Sequence, residues 1–99
     1  MLHLYQNTAY MEEVAELWKR VSAIPDLIGK TFLISGATGM IGSLTTDVLL
    51  WGNRYAGADS RVVALVRSPE KSRERFDGFT EKDGLLLIEA DLMKPLDMQ

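Results

Sequence analysis

Apolar positions along the chain change period several times, and each change marks an element. From Thr8 to Val21 the apolar residues Met11, Val14, Trp18 and Val21 recur at helical spacing, with Leu17 beside them. Glu12, Glu13, Glu16, Lys19 and Arg20 take the opposite side, acids first and bases last, as the helix dipole favours. Pro25 ends that pattern. Its polar face is not lysine-rich, so it reads as a helix packed on its own domain, not one lying on a membrane.

A turn at Asp26-Leu27-Ile28-Gly29-Lys30 follows. Three short runs come next: Thr31 to Ser35, Arg61 to Val66 and Leu85 to Ala90. Each is nearly continuous in aliphatic residues and too short for a typical helix. That is the pattern of strands covered on both faces, as in parallel sheets. Between the first two runs, Ile41, Leu44, Val48 and Trp51 form one helix face from Met40 to Trp51, with Gly52 as its expected stop. Asn53 to Ser60 reads as a polar loop. Between the second and third runs, Ser68 is a predicted N-cap with Pro69 at the first helical position, and the helix ends between Phe76 and Gly78. The order α-β-α-β-α-β with right-handed crossovers predicts an α/β fold, half of a doubly wound parallel sheet behind an N-terminal helix. The predicted division is a helical extension over 1–26 and a nucleotide-binding portion over 27–99.

Ser35-Gly36-Ala37-Thr38-Gly39-Met40-Ile41-Gly42 lies between the first strand and its helix. Gly36 would turn the chain off the strand. Gly39 would leave room for a diphosphate at the backbone, and Gly42 would let helix and strand pack closely. Free N–H groups at the helix start would then hold the diphosphate. Three spaced glycines mean little alone, but a strand before them and an amphipathic helix after them are the context this loop requires.

These residues resemble the extended short-chain dehydrogenase/reductase family, the NAD(P)-dependent epimerase/dehydratase group. Gly36-Ala37-Thr38-Gly39-Met40-Ile41-Gly42 is similar to its G-x-x-G-x-x-G fingerprint, and the lead-in Leu27 to Ser35 is similar too. Ala64-Leu65-Val66-Arg67-Ser68 and Glu89-Ala90-Asp91-Leu92 look like its second and third strand ends. The resemblance spans about Leu27 to Leu96. It implies a Rossmann-type domain that binds NAD or NADP. The backbone at Thr38, Gly39, Met40 and Ile41 would contact the diphosphate, Arg67 and Ser68 would lie at the ribose, and Asp91 would accept from the adenine amino group beside Leu92. Aspartate also caps turns, which is the plainer role for Asp91.

The second strand ends in Val66-Arg67, where an NAD-binding strand carries an acid. A guanidinium can pair with a 2′-phosphate, which tilts the expectation towards NADP. Arg67 could equally stack on adenine or stand exposed near Glu70. The family's catalysis resembles hydride transfer aided by a Tyr-x-x-x-Lys pair. Here Tyr5, Tyr10 and Tyr55 are followed four places on by Ala9, Val14 and Asp59, so none supplies it. The family's fourth strand and substrate region have no counterpart among these residues. The expectation is therefore the N-terminal portion of a nucleotide-sugar epimerase- or dehydratase-like oxidoreductase, binding the dinucleotide but catalysing nothing by itself. The alternative is a nonenzymatic, redox-sensing NAD(P) module.

Composition narrows the field further. The 99 residues carry 14 acids, 11 lysines and arginines and no cysteine, for a net charge of -3. Thiolate zinc sites, disulfide scaffolds and cysteine catalysis are excluded. A mildly acidic chain is a poor nucleic-acid binder, and Arg67, Lys71, Arg73 and Arg75, interrupted by Glu70 and Glu74, read as a solvated helix face. Gly29-Lys30-Thr31 fails as a phosphate loop because a strand follows it, and His3 is a lone histidine. No membrane span or secretory leader is evident, so the expected compartment is the cytoplasm. Trp18, Trp51, Phe76 and Phe79 are expected to be packing residues. The first strand is expected to be an unpaired, uncharged edge. That predicts self-association, marginal stability, or service as the ordered part of a longer protein.

Overall fold

The structure is a computed structural model that describes residues 4–24, 29–36 and 39–90. After a 3-10 turn at Leu4–Gln6, the elements are α1 (Thr8–Ser22), β1 (Thr31–Ser35), α2 (Met40–Ala56), β2 (Arg61–Val66), α3 (Pro69–Arg75) and β3 (Leu85–Glu89), with a second 3-10 turn at Glu81–Asp83 before β3. The strands form one parallel sheet in the order β1-β2-β3. This is an α/β fold with the strand arrangement of half a Rossmann-type sheet.

Register places Phe32, Val62 and Leu85 side by side, followed by Ile34, Ala64 and Leu87. These residues face the helices. Val62 and Ala64 are fully buried there, and the core continues through Val14 and Trp18 of α1, Val48 and Leu50 of α2, and Phe76 and Phe79. The N-terminal helix therefore shares the sheet's core.

The other face departs from the expectation of strands covered on both sides. Leu33, Val63 and Leu86 lie in one row, and Ser35, Leu65 and Ile88 in the next. Leu33 is 54% exposed, Leu86 45% and Ile88 40%. Leu65 of the central strand is buried and Val63 half-buried in the same rows, so this face is open mainly at the two outer strands.

Two helix ends are legible in local chemistry. The Asn7 side chain caps α1 by accepting from the Tyr10 N–H at 3.0 Å, and Ser68 caps α3 by accepting from the Lys71 N–H, with Pro69 at the start as predicted. The end of α2 corrects the sequence expectation. The helix continues through Gly52 and residues 53–56, and stops at Gly57, which takes the left-handed cap conformation. Gly52 serves packing instead. The Trp18 ring lies so close that a Cβ at Gly52 would fall 2.4 Å from it. Asn53 in turn locks the start of β2. Its side chain accepts from the Ser60 N–H at 2.7 Å and donates to the carbonyls of Ser60 and Asp83.

Candidate functional site

The glycine loop leaves the carboxyl end of β1, the end at which open α/β sheets bind ligands. Gly36 has φ +66, a left-handed conformation that side-chain-bearing residues seldom adopt, so the strand turns off at once. The Gly39 N–H donates to the Gly36 carbonyl at 2.9 Å and closes that turn. Gly39 is itself the N-cap of α2 and offers no capping side chain. A Cβ there would sit 3.3 Å from the Gly36 carbonyl oxygen, inside the loop. The first turn of α2 therefore begins without a side-chain cap at its positive end. Met40 and Ile41 are 89% and 81% exposed beside it. Gly42 is half-buried, one residue before the buried Ser43. Ala37 and Thr38 lie outside the described residues, as do Asp91 and Leu92.

A second feature stands at the end of the neighbouring strand. Arg67, Ser68, Lys71, Ser72 and Arg75 line one open pocket beyond β2. Arg67 and Lys71 are exposed, so their charges are available to an anion. The sequence pointed to Arg67 and Ser68. Lys71 joins them because it lies in the first turn of α3, where its N–H donates to the capping side chain of Ser68.

Arg75 corrects the picture of a uniformly solvated basic face. Its guanidinium turns inward and grips Asp47 of α2, with Nη2 to Oδ2 at 2.7 Å and Nη1 to Oδ1 at 3.3 Å. The Asp47 side chain is 1% exposed. The hydroxyls of Tyr5 and Tyr10 also donate to it, one to each carboxylate oxygen. Burial and the adjacent Asp47 charge raise the pKa of both phenols, Tyr10 to about 12. Burial opposes the Arg75 charge, but its hydrogen bonds to Asp47 and the attraction between them prevail and hold its pKa above the usual value. Sequence reading missed this cluster. A usable signal was present: Asp47 is an acid inside the otherwise apolar and hydroxyl-bearing run from Leu44 to Leu50.

A second internal pair, Arg54 with Asp83, fastens the end of α2 to the 3-10 turn at 3.0 and 2.5 Å. Hydrogen bonding from Arg54 and Thr80 outweighs burial and keeps the Asp83 carboxyl below its ordinary pKa. Among the described residues no group of three acids or histidines could hold a metal, and no helix is long and apolar enough to cross a membrane.

No family model matches the chain, and no curated protein or solved structure matches it.

Proposed function

We propose that the chain binds an NAD(P)-type dinucleotide across the carboxyl ends of β1 and β2. One observation carries this reading: a 17-residue helix starts at Met40 behind Gly39 with no side-chain cap, directly after a strand and a glycine turn, beside a pocket past the end of β2 lined by Arg67 and Lys71. The helix start suits a diphosphate, because unpaired N–H groups and the dipole both favour negative charge. The absence of a Cβ at Gly39 leaves the approach open. Arg67, Ser68 and Lys71 suit a phosphate on the adenine-side ribose, which favours NADP over NAD. Asp91 and Leu92 remain the expected adenine contacts.

On this reading the chain's residues bind and orient a cofactor whose role, when bound, is hydride transfer. The pair that would activate a substrate is not among the tyrosines and lysines here. The resemblance extends the reading to a nucleotide-sugar epimerase- or dehydratase-like oxidoreductase, with these residues as its dinucleotide-binding portion in the cytoplasm.

Calorimetric titration of the chain with NADP and NAD tests the proposal. Both should bind, NADP more tightly. Gly39→Val should abolish binding of both by placing a branched side chain at the diphosphate. Arg67→Ala should weaken NADP about ten- to a hundredfold if the contact is desolvated, and less if it stays wet, while NAD changes little. Unchanged binding of both nucleotides by Gly39→Val would show the site to be elsewhere. Equal losses in Arg67→Ala would make the arginine an adenine-stacking residue.

A further inference from the structure

We infer that Arg75, held by Tyr5 and Tyr10 of the N-terminal segment, is a positioning residue for the pocket beyond β2 and sets its preference for a phosphorylated ribose. The inference rests on the proposed reading that a phosphate seats at Arg67, Ser68 and Lys71. Helix α3, which carries most of that pocket, has only seven residues. So short a helix is not stable by itself and takes its order from what it packs on. Lys71 and Ser72 stand four and three residues before Arg75, so the three share a face, and that face lines the pocket. Both of its ends are tied down. At the start, Ser68 accepts from the Lys71 N–H, and the Ser72 hydroxyl donates to the Ser68 carbonyl at 2.8 Å. At the end, the Arg75 guanidinium donates to Asp47 of α2 at 2.7 and 3.3 Å. Arg75 is thus a pocket wall whose charge is already matched, while Arg67 and Lys71 are the exposed cations at the opening.

The groups that orient Arg75 come from outside the sheet and its crossover helices. Its guanidinium donates to the hydroxyl oxygen of Tyr5 at 3.1 Å and to that of Tyr10 at 3.4 Å. It also lies 5.7 Å from the centre of the Tyr5 ring. The two hydroxyls donate in turn to the two oxygens of Asp47. Tyr5 packs edge-on against Phe79 at 4.9 Å, and a Cβ at Gly78 would stand 3.4 Å from its ring. The N-terminal segment therefore meets the last residue of α3 and the turn that follows it. No residue of that segment lines the pocket, so its effect on a ligand passes through Arg75 and α3. Such a link is reciprocal. A docked segment that favours the phosphate-binding arrangement of α3 is favoured in return by bound phosphate, by the same factor. NAD has no 2′-phosphate and bypasses the link.

Calorimetry and amide exchange on the whole chain test the inference, with NADP, NAD and adenosine 2′-phosphate as probes. NADP and adenosine 2′-phosphate should slow exchange at the Asn7, Tyr10 and Met11 amides, which are hydrogen-bonded around the start of α1. NAD should leave those amides unchanged. Tyr5→Ala removes both the hydroxyl and the ring from Arg75. It should lower NADP affinity about three- to tenfold and shift NAD by less than about twofold. Tyr5→Phe keeps the ring, and its NADP affinity should lie between those of Tyr5→Ala and the parent. Equal losses for NADP and NAD would make the cluster merely structural and overturn the inference. Unchanged NADP affinity overturns it too. A gain in NADP affinity would show Arg75 to be a ligand released from Asp47, which also overturns it. If Tyr5→Ala does not fold, Tyr5→Phe and the exchange of the parent decide the matter. A parent that binds neither dinucleotide defeats the proposed function, and adenosine 2′-phosphate then decides the inference separately. Slowed exchange at Asn7, Tyr10 and Met11 upholds the positioning role, and no response overturns it.

Discussion

The carboxylate of Asp47 is shut away from solvent and depends on three donors from two other segments, Tyr5 and Tyr10 before α2 and Arg75 after it. Leaving such a group without partners would be costly, because a buried charge has no water to replace them. The phenols add a pH dependence. Their pKa values are raised in the folded chain, so their contribution is fully present below pH 10 and is lost as pH rises, for Tyr10 through about 12. Tyrosinate absorbance should therefore lag behind ordinary phenol ionisation until the fold gives way. In Tyr5→Phe/Tyr10→Phe, neutral-pH stability should fall by about 1–2 kcal/mol for each hydroxyl lost, since these are bonds to a charged group in a partly exposed cluster. The loss of stability between pH 10 and 12 should also become shallower than in the parent. Parallel alkaline melting curves for parent and variant would show that the phenols do not control that limb.

The helices and strands were largely legible because each has its own period and punctuation. Asn7, Ser68 and Pro69 act locally, and the starts of α1 and α3 fall where they put them. All three strands match their apolar runs to within one residue. The end of α2 was not legible, because the deciding contact lies between segments. Gly52 read as a stop, yet it sits inside the helix to admit Trp18 from α1. Arg75 was misread for the same reason, since no local pattern tells which arginine of α3 meets a buried acid on α2. In the candidate site the glycine turn was legible from spacing, whereas the pocket beyond β2 required knowing that the first turn of α3 brings Lys71 to the same opening as Arg67. The helix–helix contact gives its own prediction. Gly52→Ala should raise helix propensity by about 1 kcal/mol, but its Cβ would overlap the buried Trp18 ring. Overpacking of that kind costs about 1–3 kcal/mol. Denaturant titration should therefore find Gly52→Ala less stable than the parent, and Trp18→Leu/Gly52→Ala should recover part of the loss relative to Trp18→Leu. A more stable Gly52→Ala would show that α1 yields easily and that Trp18 does not fix its approach to α2.

Across the whole molecule, burial falls away from β2 towards both sheet edges. Val62, Ala64 and Val66 of β2 are 0%, 0% and 3% exposed, while β1 alternates between half-buried and exposed residues and β3 is buried only at Leu85. The central strand also has a ladder on each side, so its amides open only when one of its neighbours leaves or the core dissolves. Helix α1 has no ladder but is anchored by Val14, Trp18 and the hydroxyl of Tyr10. Amide exchange should rank accordingly. The β2 amides should be slowest and report global unfolding, with the buried stretch of α2 close behind. In β1, amides directed at β2 should be protected and those directed outward should exchange fast in dilute solution. Full protection of every β1 amide at high dilution would contradict this order, since it would require a partner for the edge within a single chain.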